Sequence, residues 1–414
     1  MYRLGTDWIL CTLFLISSVA STNAIEKTCS PITQLPVVTG TKLHGAVLEK
    51  FTTSGVVSCA KECLSRRVCL SCNFNLDDGT CELNSKGGTV INGTVSLKTE
   101  PSYVYSMSYN WPQNILGVCQ HHICAINSRC AETADGGWEC VITYCTDPPT
   151  VEYANDIDSS INHVTVVNWS LTLECIVGYV PCGTMTCNPD GTWTRVTCMP
   201  VSTCTEVQQL SPSYTDGEYW LYPRQLNGAR VKIYCHGMNS TASEYISLST
   251  PYFMDGPMVA NPGCLGEVPI LNPNPSLGYH VYTKFGLNIE TLSIKVTDRR
   301  FYNKTAGMDA NVGVVKDCYT LPDSACGPRG RAVMDLRGTG FALDGLVAWT
   351  VVGDGWTPIV TRSSKDQVIE IRCGGRCGKC SPQDTLRLVM VESDVPRDKS
   401  ALTPQCDPSH TRQP

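Results

Sequence analysis

Apolar side chains recur at every second position through much of the second half of the chain. In Arg230-Val231-Lys232-Ile233-Tyr234-Cys235, in Leu292-Ser293-Ile294-Lys295-Val296 and from Val368 to Arg372 the repeat is two, the signature of a strand with one buried face. Asp-Gly pairs stand at Asp78, Asp135, Asp190, Asp216, Asp255, Asp344 and Asp354. That pair suits the positive backbone angles of tight hairpin turns. Long runs of helical periodicity are absent. One short helix is predicted where Cys59 and Cys63 lie four apart on one face, with Ser58 placed to cap it. Cys69 and Cys81 follow on extended segments. Aromatic residues crowd at Tyr214, Tyr219, Trp220 and Tyr222. Alternation sends Tyr219 and Leu221 one way and Trp220 and Tyr222 the other, so that one face fills a core and the other is free for contact. The pattern predicts a mainly β protein.

The first residues fit none of this. Arg3, a mostly apolar run from Trp8 to Ala20 ending in Ser18-Val19-Ala20, and polar Ser21, Thr22 and Asn23 make the three-part pattern of a secretory leader over 1–20. The run is too short to cross a bilayer, no later stretch approaches the ~20 apolar residues of a membrane span, and the C-terminal end lacks the apolar tail of a lipid-anchor signal. A soluble, secreted mature chain is expected. Of the 25 cysteines, Cys11 leaves with the leader, and the even remainder reads as a disulfide framework. Cysteines are dense up to Cys204 and sparse beyond it, so the C-terminal half must rely more on an ordinary core. At 414 residues the chain is long for one domain. A net charge of −6 argues against nucleic acid as a general partner. Sequons at Asn92, Asn168, Asn239 and Asn303 predict surface glycans.

Four stretches resemble extracellular module families. The run CAKECLSRRVCLSCNFNLDDGTCELN, beginning at Cys59, resembles the PAN/apple family, with Phe74-Asn75 and Cys81-Glu82-Leu83 in the places of its aromatic–Asn pair and Cys-x-Leu. The resemblance implies an α+β module over 29–110 in which Cys63–Cys69 and Cys59–Cys81 staple the helix to a small sheet. Cys72 stands where that family has an aromatic residue. Cys119, Cys124, Cys130 and Cys140 are spaced like the first four cysteines of an EGF-like module, so 111–144 resembles a truncated one. The segment Asn114-Ile115-Leu116-Gly117-Val118 lacks the acidic residues of calcium-binding members, and no calcium is expected. Cys145, Pro148-Pro149, Cys175, Gly178-Tyr179, Cys187, Asp190-Gly191, Trp193 and Cys198 resemble a sushi (complement control) module over 145–199. That family pairs first with third and second with fourth, which implies Cys145–Cys187 and Cys175–Cys198. So small a module cannot build a large core, and Trp193 is expected to fill its middle.

The largest piece, 200–392, carries Asp216 to Tyr222 (DGEYWLY), Val231 to Asn239 (VKIYCHGMN), Glu244 to Leu248 (EYISL), Asp317 to Tyr319 (DCY), Leu336 to Phe341 (LRGTGF) and Cys373 to Cys380 (CGGRCGKC) in order. It resembles the GON domain, which closes a subset of secreted ADAMTS-type metalloproteases and occurs in other extracellular architectures. Its opening is also loosely similar to fibrinogen-like lectin domains, whose downstream motifs are missing. The cysteines of this piece, Cys204, Cys235, Cys264, Cys318, Cys326, Cys373, Cys377 and Cys380, are even in number and can close internally. Cys29, Cys72, Cys182 and Cys406 fall outside the module patterns and are free to pair with one another or with another chain. The polar, proline-containing stretch 393–414 is expected to be a flexible end that Cys406 can tether.

Candidate chemistry is sparse. The zinc-protease signature H-E-x-x-H is absent, because none of His44, His121, His122, His163, His236, His280 and His410 has a histidine four residues on. A metallopeptidase or zinc label would attach to this chain through the GON association alone. Cys373, Cys377 and Cys380 form one tight group that could offer thiolates to zinc. An oxidising compartment favours disulfides, and glycines 374, 375 and 378 suit sharp turns between them. In an extended strand these three are too close to bridge one another, so at least one distant partner is expected, with long-range bridges tying the last strand to the domain's beginning and middle. His121-His122 beside Cys124 reads as a solvated loop. No nucleophile elbow, triad or phosphate loop is present. Lys295, Arg299, Arg300 and Lys304 make a modest basic cluster, diluted by Asp298, that reads as a solvated face rather than a sulfated-glycan site. No catalytic residue and no cofactor is assigned. The reading is a secreted, non-catalytic array that recognises extracellular proteins or glycans in adhesion or matrix. The alternatives are a member or accessory of the ADAMTS-type metalloprotease family and a lectin-like defence protein.

Overall fold

The computed structural model describes residues 34–88, 97–156, 164–268, 277–321, 323–397 and 399–407. Before residue 34 it describes only the backbone of three antiparallel strands, Tyr2–Leu4, Asp7–Phe14 and Glu26–Pro31. The side chains of the expected leader and of Cys29, and the sequon at Asn92, lie outside the described residues. The protein is mainly β, as its alternating segments predict. It divides into two compact units. One holds the chain up to Val151 with Asp156–Leu173 and Thr184–Val196, and the other holds Glu152–Asn155, Glu174–Gly183 and everything from Thr197.

The first unit is built on a five-stranded antiparallel sheet of Val38–Leu43, Leu97–Met107, Ser71–Asn75, Thr80–Asn84 and Val47–Thr52, in that spatial order. Helix α1, Val56–Leu64, begins earlier than expected: Gly55 occupies the cap, no side chain caps it, and Ser58 lies inside the helix with its hydroxyl 2.9 Å from that of Ser54. The helix buries Val56, Cys59, Ala60 and Cys63 against the sheet, and the bridges Cys59–Cys81 and Cys63–Cys69 fix it there. Cys72, on the central strand, is a buried free thiol whose pKa burial pushes up to about 12. A hairpin of Ser128–Glu132 and Trp138–Ile142 follows, joined to its neighbouring loop by Cys119–Cys130 and Cys124–Cys140.

The stretch 145–199 is shared between the units. In the first, Tyr144–Thr146 pairs with Val164–Val166 beside the bridge Cys145–Cys187. Trp193 is only half-buried and donates to the Thr146 carbonyl at 2.7 Å, and the interior there is filled by Tyr144 and Met185 instead. In the second, Cys175–Cys198 joins strands that continue into the following domain through Val201 N–H to the Gly178 carbonyl and Tyr222 N–H to the Val201 carbonyl. Those backbone bonds tie the second half of the stretch to the domain that follows it.

The second unit centres on a nine-stranded antiparallel sheet. Gly217–Leu221, Val231–His236, Ser243–Gly256, Gly330–Asp335, Val368–Cys373 and Ile359–Ser363 follow in order, and Gly278–Asn288 also pairs with the long Ser243–Gly256 strand. Alternation sorts the faces. Met254, Ala332 and Ile371 are cross-strand partners and fully buried, and they join Tyr252, Phe285, Phe341 and Trp349 in one core. The alternation seen around Leu292 yields only a two-residue strand, Ser293–Ile294, because Leu292 itself turns the chain with φ 48°. Of the Asp-Gly pairs, Gly79, Gly136 and Gly191 take the left-handed turn conformation, whereas Gly217 and Gly256 lie within strands.

Two expectations are corrected at the edge of this sheet. Tyr219, Trp220 and Leu221 are all buried, so neither face of the run is free. The stretch 399–407 is not a loose end. Leu402 adds in parallel beside Tyr219, with Trp220 N–H to the Leu402 carbonyl and Leu402 N–H to the Glu218 carbonyl both at 2.9 Å, and Cys406 is bonded to Cys182. A sheet edge that would otherwise offer unpaired backbone groups is thereby closed.

Candidate functional site

The cysteine group in the glycine-rich segment is structural. Cys373 bonds Cys380, and Cys377 bonds the distant Cys318. The expectation that these three could not bridge one another holds only for an extended strand, and the strand ends at Cys373. Beyond it Gly374, Gly375, Arg376 and Cys377 all take positive φ, which curls the chain until Cys373 and Cys380 meet. Asp317 sits at the centre of the curl, fully buried. Its carboxylate accepts from Tyr319 N–H at 2.8 Å, Arg329 N–H at 3.0 Å and the Thr320 hydroxyl, while its carbonyl accepts from Gly375 N–H at 2.7 Å. The remaining bridges of this domain are Cys204–Cys235 and Cys264–Cys326, so the last strand is tied to the middle of the domain and not to its beginning. Among the described residues no group of three or more His, Cys, Asp or Glu is placed to hold a metal. His122, beside bridged Cys124, turns its ring toward the Leu64 carbonyl at 3.2 Å.

The basic cluster is dispersed by a residue that sequence reading left out. Asp309 takes Lys304 at 2.8 Å and Arg299 at 4.0 Å, and Arg299 also donates to the Asn311 side chain. Lys295 points elsewhere, into a cleft of about 700 Å³ in the C-terminal domain. That cleft is the place where polar side chains converge. Its walls come from the segment opening the short helix Cys204–Leu210, from Arg224 and Gln225, from Glu244, and from Asn288, Glu290 and Lys295.

Local chemistry fixes each wall. Thr203 caps the helix by accepting from Glu206 N–H at 3.1 Å, and the Glu206 carboxylate returns to Ser202 N–H at 2.6 Å and Thr203 N–H at 3.2 Å. This is a reciprocal capping box. Glu206 also pairs with Arg224 at 3.2 Å. Glu244 accepts from Cys204 N–H at 3.1 Å. The Asn288 side chain caps its own turn by accepting from Glu290 N–H and Thr291 N–H. Glu206 and Glu244 are therefore committed to backbone groups. Exposed Thr205, Gln225, Glu290 and Lys295 remain to meet a ligand. The capping pattern Thr203-x-x-Glu206 is readable in the sequence, but nothing local links it to Glu244 or Glu290.

A second cavity, about 630 Å³ in the first unit, is lined mostly by Val47, Phe51, Val164, Val166, Trp169 and Leu171 and gathers few polar groups. The described sequons place Asn168, Asn239 and Asn303 on exposed positions.

Comparison with known proteins agrees with this division. Residues 201–253 and 267–391 match the GON domain, and residues 29–109 match the PAN domain. Among curated proteins, the chain is 29% identical over 201 residues to "A disintegrin and metalloproteinase with thrombospondin motifs 20" of Mus musculus, covering 45% of this chain and 10% of that protein. It is 26% identical over 201 residues to "A disintegrin and metalloproteinase with thrombospondin motifs gon-1" of Caenorhabditis elegans, covering 45% of this chain and 9% of that one. The chain thus spans about a tenth of the length of these relatives.

Proposed function

We propose that this chain is a secreted, non-catalytic recognition protein of the extracellular space, with the cleft around Glu290 and Lys295 as a contact site for a protein or glycan partner. The observation that carries the reading is the convergence of hydroxyl, amide and charged groups in a cleft whose buried carboxylates already serve backbone N–H groups. Such walls suit the recognition of polar surfaces, and of the three carboxylates only exposed Glu290 is left uncommitted to a backbone N–H. Three carboxylates against Lys295 and Arg224 make the cleft unfavourable to a sulfated polyanion, so a neutral glycan or a basic protein segment is the better fit. The PAN domain, with the EGF-like 111–144 and sushi-like 145–199 stretches, adds further surfaces through which weak contacts sum by avidity. The relatives' names favour one second reading, an accessory of an ADAMTS-type metalloproteinase.

Purified full-length protein on arrays of extracellular glycans and matrix proteins tests the first reading. Glu290→Lys and Lys295→Glu should each weaken the captured interaction about tenfold, a loss of about 1.4 kcal/mol, without altering the fold. Full retention by both variants would remove the cleft from the function. Chelator-sensitive proteolysis that follows the pure protein would overturn the non-catalytic reading.

A further inference from the structure

The nine-stranded sheet has a second face, opposite its core, and the cross-strand register defines what it displays. Asn303, Val281, Phe253, Val333, Glu370 and Thr361 are successive partners across five strand pairs. Beside them run Tyr279, Asp255, Arg331, Arg372 and Ile359. The intervening row, with His280, Met254, Ala332 and Ile371, is the buried core row, so these two rows share the outer face.

That face is mixed where it meets solvent: Asp255, Arg331, Thr361 and Arg372 are exposed, and its apolar members gather at the end nearest Asn303. Phe253 and Tyr279 stack with ring centroids 5.6 Å apart, and Arg331 lies over the Phe253 ring at 5.4 Å. Tyr279 is 40% exposed and Ile359 48%. Phe253, Val281 and Val333 are half-buried, and none of these residues belongs to the cleft. Ile359 lies beyond Arg331 and Arg372, whereas Val281, Phe253, Val333 and Tyr279 adjoin one another in the register and make a small apolar patch on which an occupant can rest.

The chain supplies one. Asn303 is in a strand, Tyr302–Lys304, whereas the exposed sequons Asn168 and Asn239 are at turns. Its Cα is the direct partner of Val281, and the sequon's Thr305 is held beside Tyr279 by its N–H to the Tyr279 carbonyl at 3.0 Å. The Asn303 side-chain oxygen accepts from Lys304 N–H at 2.8 Å, and its amide nitrogen is the atom a glycan would carry. Strands stand about 4.8 Å apart, so Asn303 is roughly 5 Å from Val281 and 10 Å from Phe253 along the row.

From this register we infer that Asn303 carries an N-linked glycan whose first sugars lie across the outer face, over Val281 and the Phe253–Tyr279 pair. In its attachment the Asn303 Nδ2 bonds to the anomeric carbon of a polyprenyl-diphosphate-linked oligosaccharide. The bond from that carbon to the diphosphate oxygen breaks, the polyprenyl diphosphate departs, and the amide proton passes to the transferase's base. The C–H face of a pyranose then stacks on the negative face of the aromatic rings. The glycan acts as a cover, which directs partners away from this face.

Glycopeptide mass spectrometry on full-length protein secreted from animal cells tests attachment, and hydroxyl-radical footprinting tests placement. Asn303 is expected to be occupied. Labelling of Phe253 and Tyr279 should rise about threefold in Asn303→Gln, in Thr305→Ala and in wild type deglycosylated after folding, as the apolar patch opens to solvent. Tyr109, 71% exposed and in the other unit, is the control that should not change. The enzymatically deglycosylated sample keeps the test valid if either variant fails to fold. An unmodified Asn303, or an occupied Asn303 with unchanged labelling of Phe253 and Tyr279, overturns the inference.

Discussion

Removing the bridge between Cys182 and Cys406 is predicted to release the C-terminal stretch from the edge of the large sheet. Residues 399–407 are held there by at least seven hydrogen bonds besides the disulfide. Two are the backbone pair with Glu218 and Trp220, two join Gln405 to the Tyr214 hydroxyl at 2.9 and 2.7 Å, one runs from Lys232 Nζ to the Ser400 hydroxyl at 3.1 Å, and two fix Asp407, whose N–H donates to the Leu210 carbonyl at 3.1 Å and whose carboxylate accepts from the Ser211 hydroxyl at 3.3 Å. Each contributes a net ~1 kcal/mol, about 7 kcal/mol together. Burial of the small side chains Ala401 and Pro404 adds about 2 kcal/mol, and Leu402, 58% exposed, adds little. Ordering the backbone of roughly nine residues costs about 9–18 kcal/mol. The covalent bond therefore decides whether the stretch is docked. The cysteines are 224 residues apart in sequence. The shortest covalent route, through Cys175–Cys198, Cys204–Cys235, Cys264–Cys326 and Cys318–Cys377, closes a loop of only about 80 residues, which limits the chain-entropy contribution to about 4.5 kcal/mol. In a Cys182→Ala/Cys406→Ala variant, amide hydrogen exchange should show Trp220 and Leu402 losing at least about two orders of magnitude of protection, or ~2.7 kcal/mol. The buried amides of Ala332 and Ile371 should be unaffected. A loss of less than tenfold at Trp220 would show that the hydrogen bonds alone hold the edge, and would refute the argument.

His280 is fully buried, and desolvation, aided by the Lys304 charge, holds its pKa below the ordinary imidazole value. The unfolded chain therefore takes up the proton first, so its contribution to stability is complete above pH ~6.5 and is lost as pH falls toward the depressed native pKa. Denaturant titrations from pH 7.5 to 5 should show this loss, flattened in His280→Gln. Arg66, 6% exposed, pairs with Glu49 at 3.3 Å and Glu62 at 2.7 Å. Arg66→Ala strands the Glu49 carboxylate and should cost about 3–5 kcal/mol by chemical denaturation. Gly374 has φ 121°, and an added Cβ would fall 2.3 Å from Asp317. Gly374→Ala should lower stability by about 3 kcal/mol or more and reduce secreted yield. Under graded reductant, limited proteolysis should cut 111–144 before the 200–392 domain; an N-terminal fragment that outlasts the digested domain would contradict this.

Legibility in the sequence followed range. The helix staples were readable because Cys59 and Cys63 share a helix face and their partners lie on the next segments. The strand at Val231–His236 was readable because its period is local and its observed burial alternates. One face of the 219–222 run was expected to be free, yet Tyr219, Trp220 and Leu221 are all buried, and the segment at Leu402 that closes this sheet edge arrives from the far end of the chain. The basic cluster, read as a solvated face, is exposed, but its ion pairing was not legible for a milder reason. Asp309 is only a few residues beyond Lys304, but the turn that returns it to Arg299 and Lys304 has no local signature. Pairing within the Cys373 group was misjudged because an extended backbone was assumed where glycines and two left-handed residues curl it. The cleft was the least legible feature, since its walls come from four separated segments whose polar residues each have a plausible local role.

The distribution of bridges follows the supply of apolar surface. In 111–144 the buried cluster is Leu116 with Cys119, Cys124 and Cys130, so the bridges themselves are the core. In the PAN domain Cys59, Cys63, Cys69, Cys72 and Cys81 share the interior with Val56, Ala60, Phe74, Leu83, Val104 and Trp111, five cysteines against six other side chains. In the large sheet cysteines are a small minority among side chains such as Tyr252, Phe285, Met334, Phe341 and Ile371, which bury enough area to fold without them. There two bridges, Cys204–Cys235 and Cys373–Cys380, are a minor part of the core, and the others lie at the periphery. Cys264–Cys326 and Cys318–Cys377 hold loops whose own cluster is little more than Leu277, Cys318 and Tyr319, and Cys182–Cys406 holds a strand that hydrogen bonds alone cannot keep. Oxidation thus does different work along one chain. It supplies much of the interior of the small modules, but in the large domain it adds a minor part to an interior that apolar side chains supply and arranges what surrounds it. Reduction should therefore unfold the first kind and merely loosen the second.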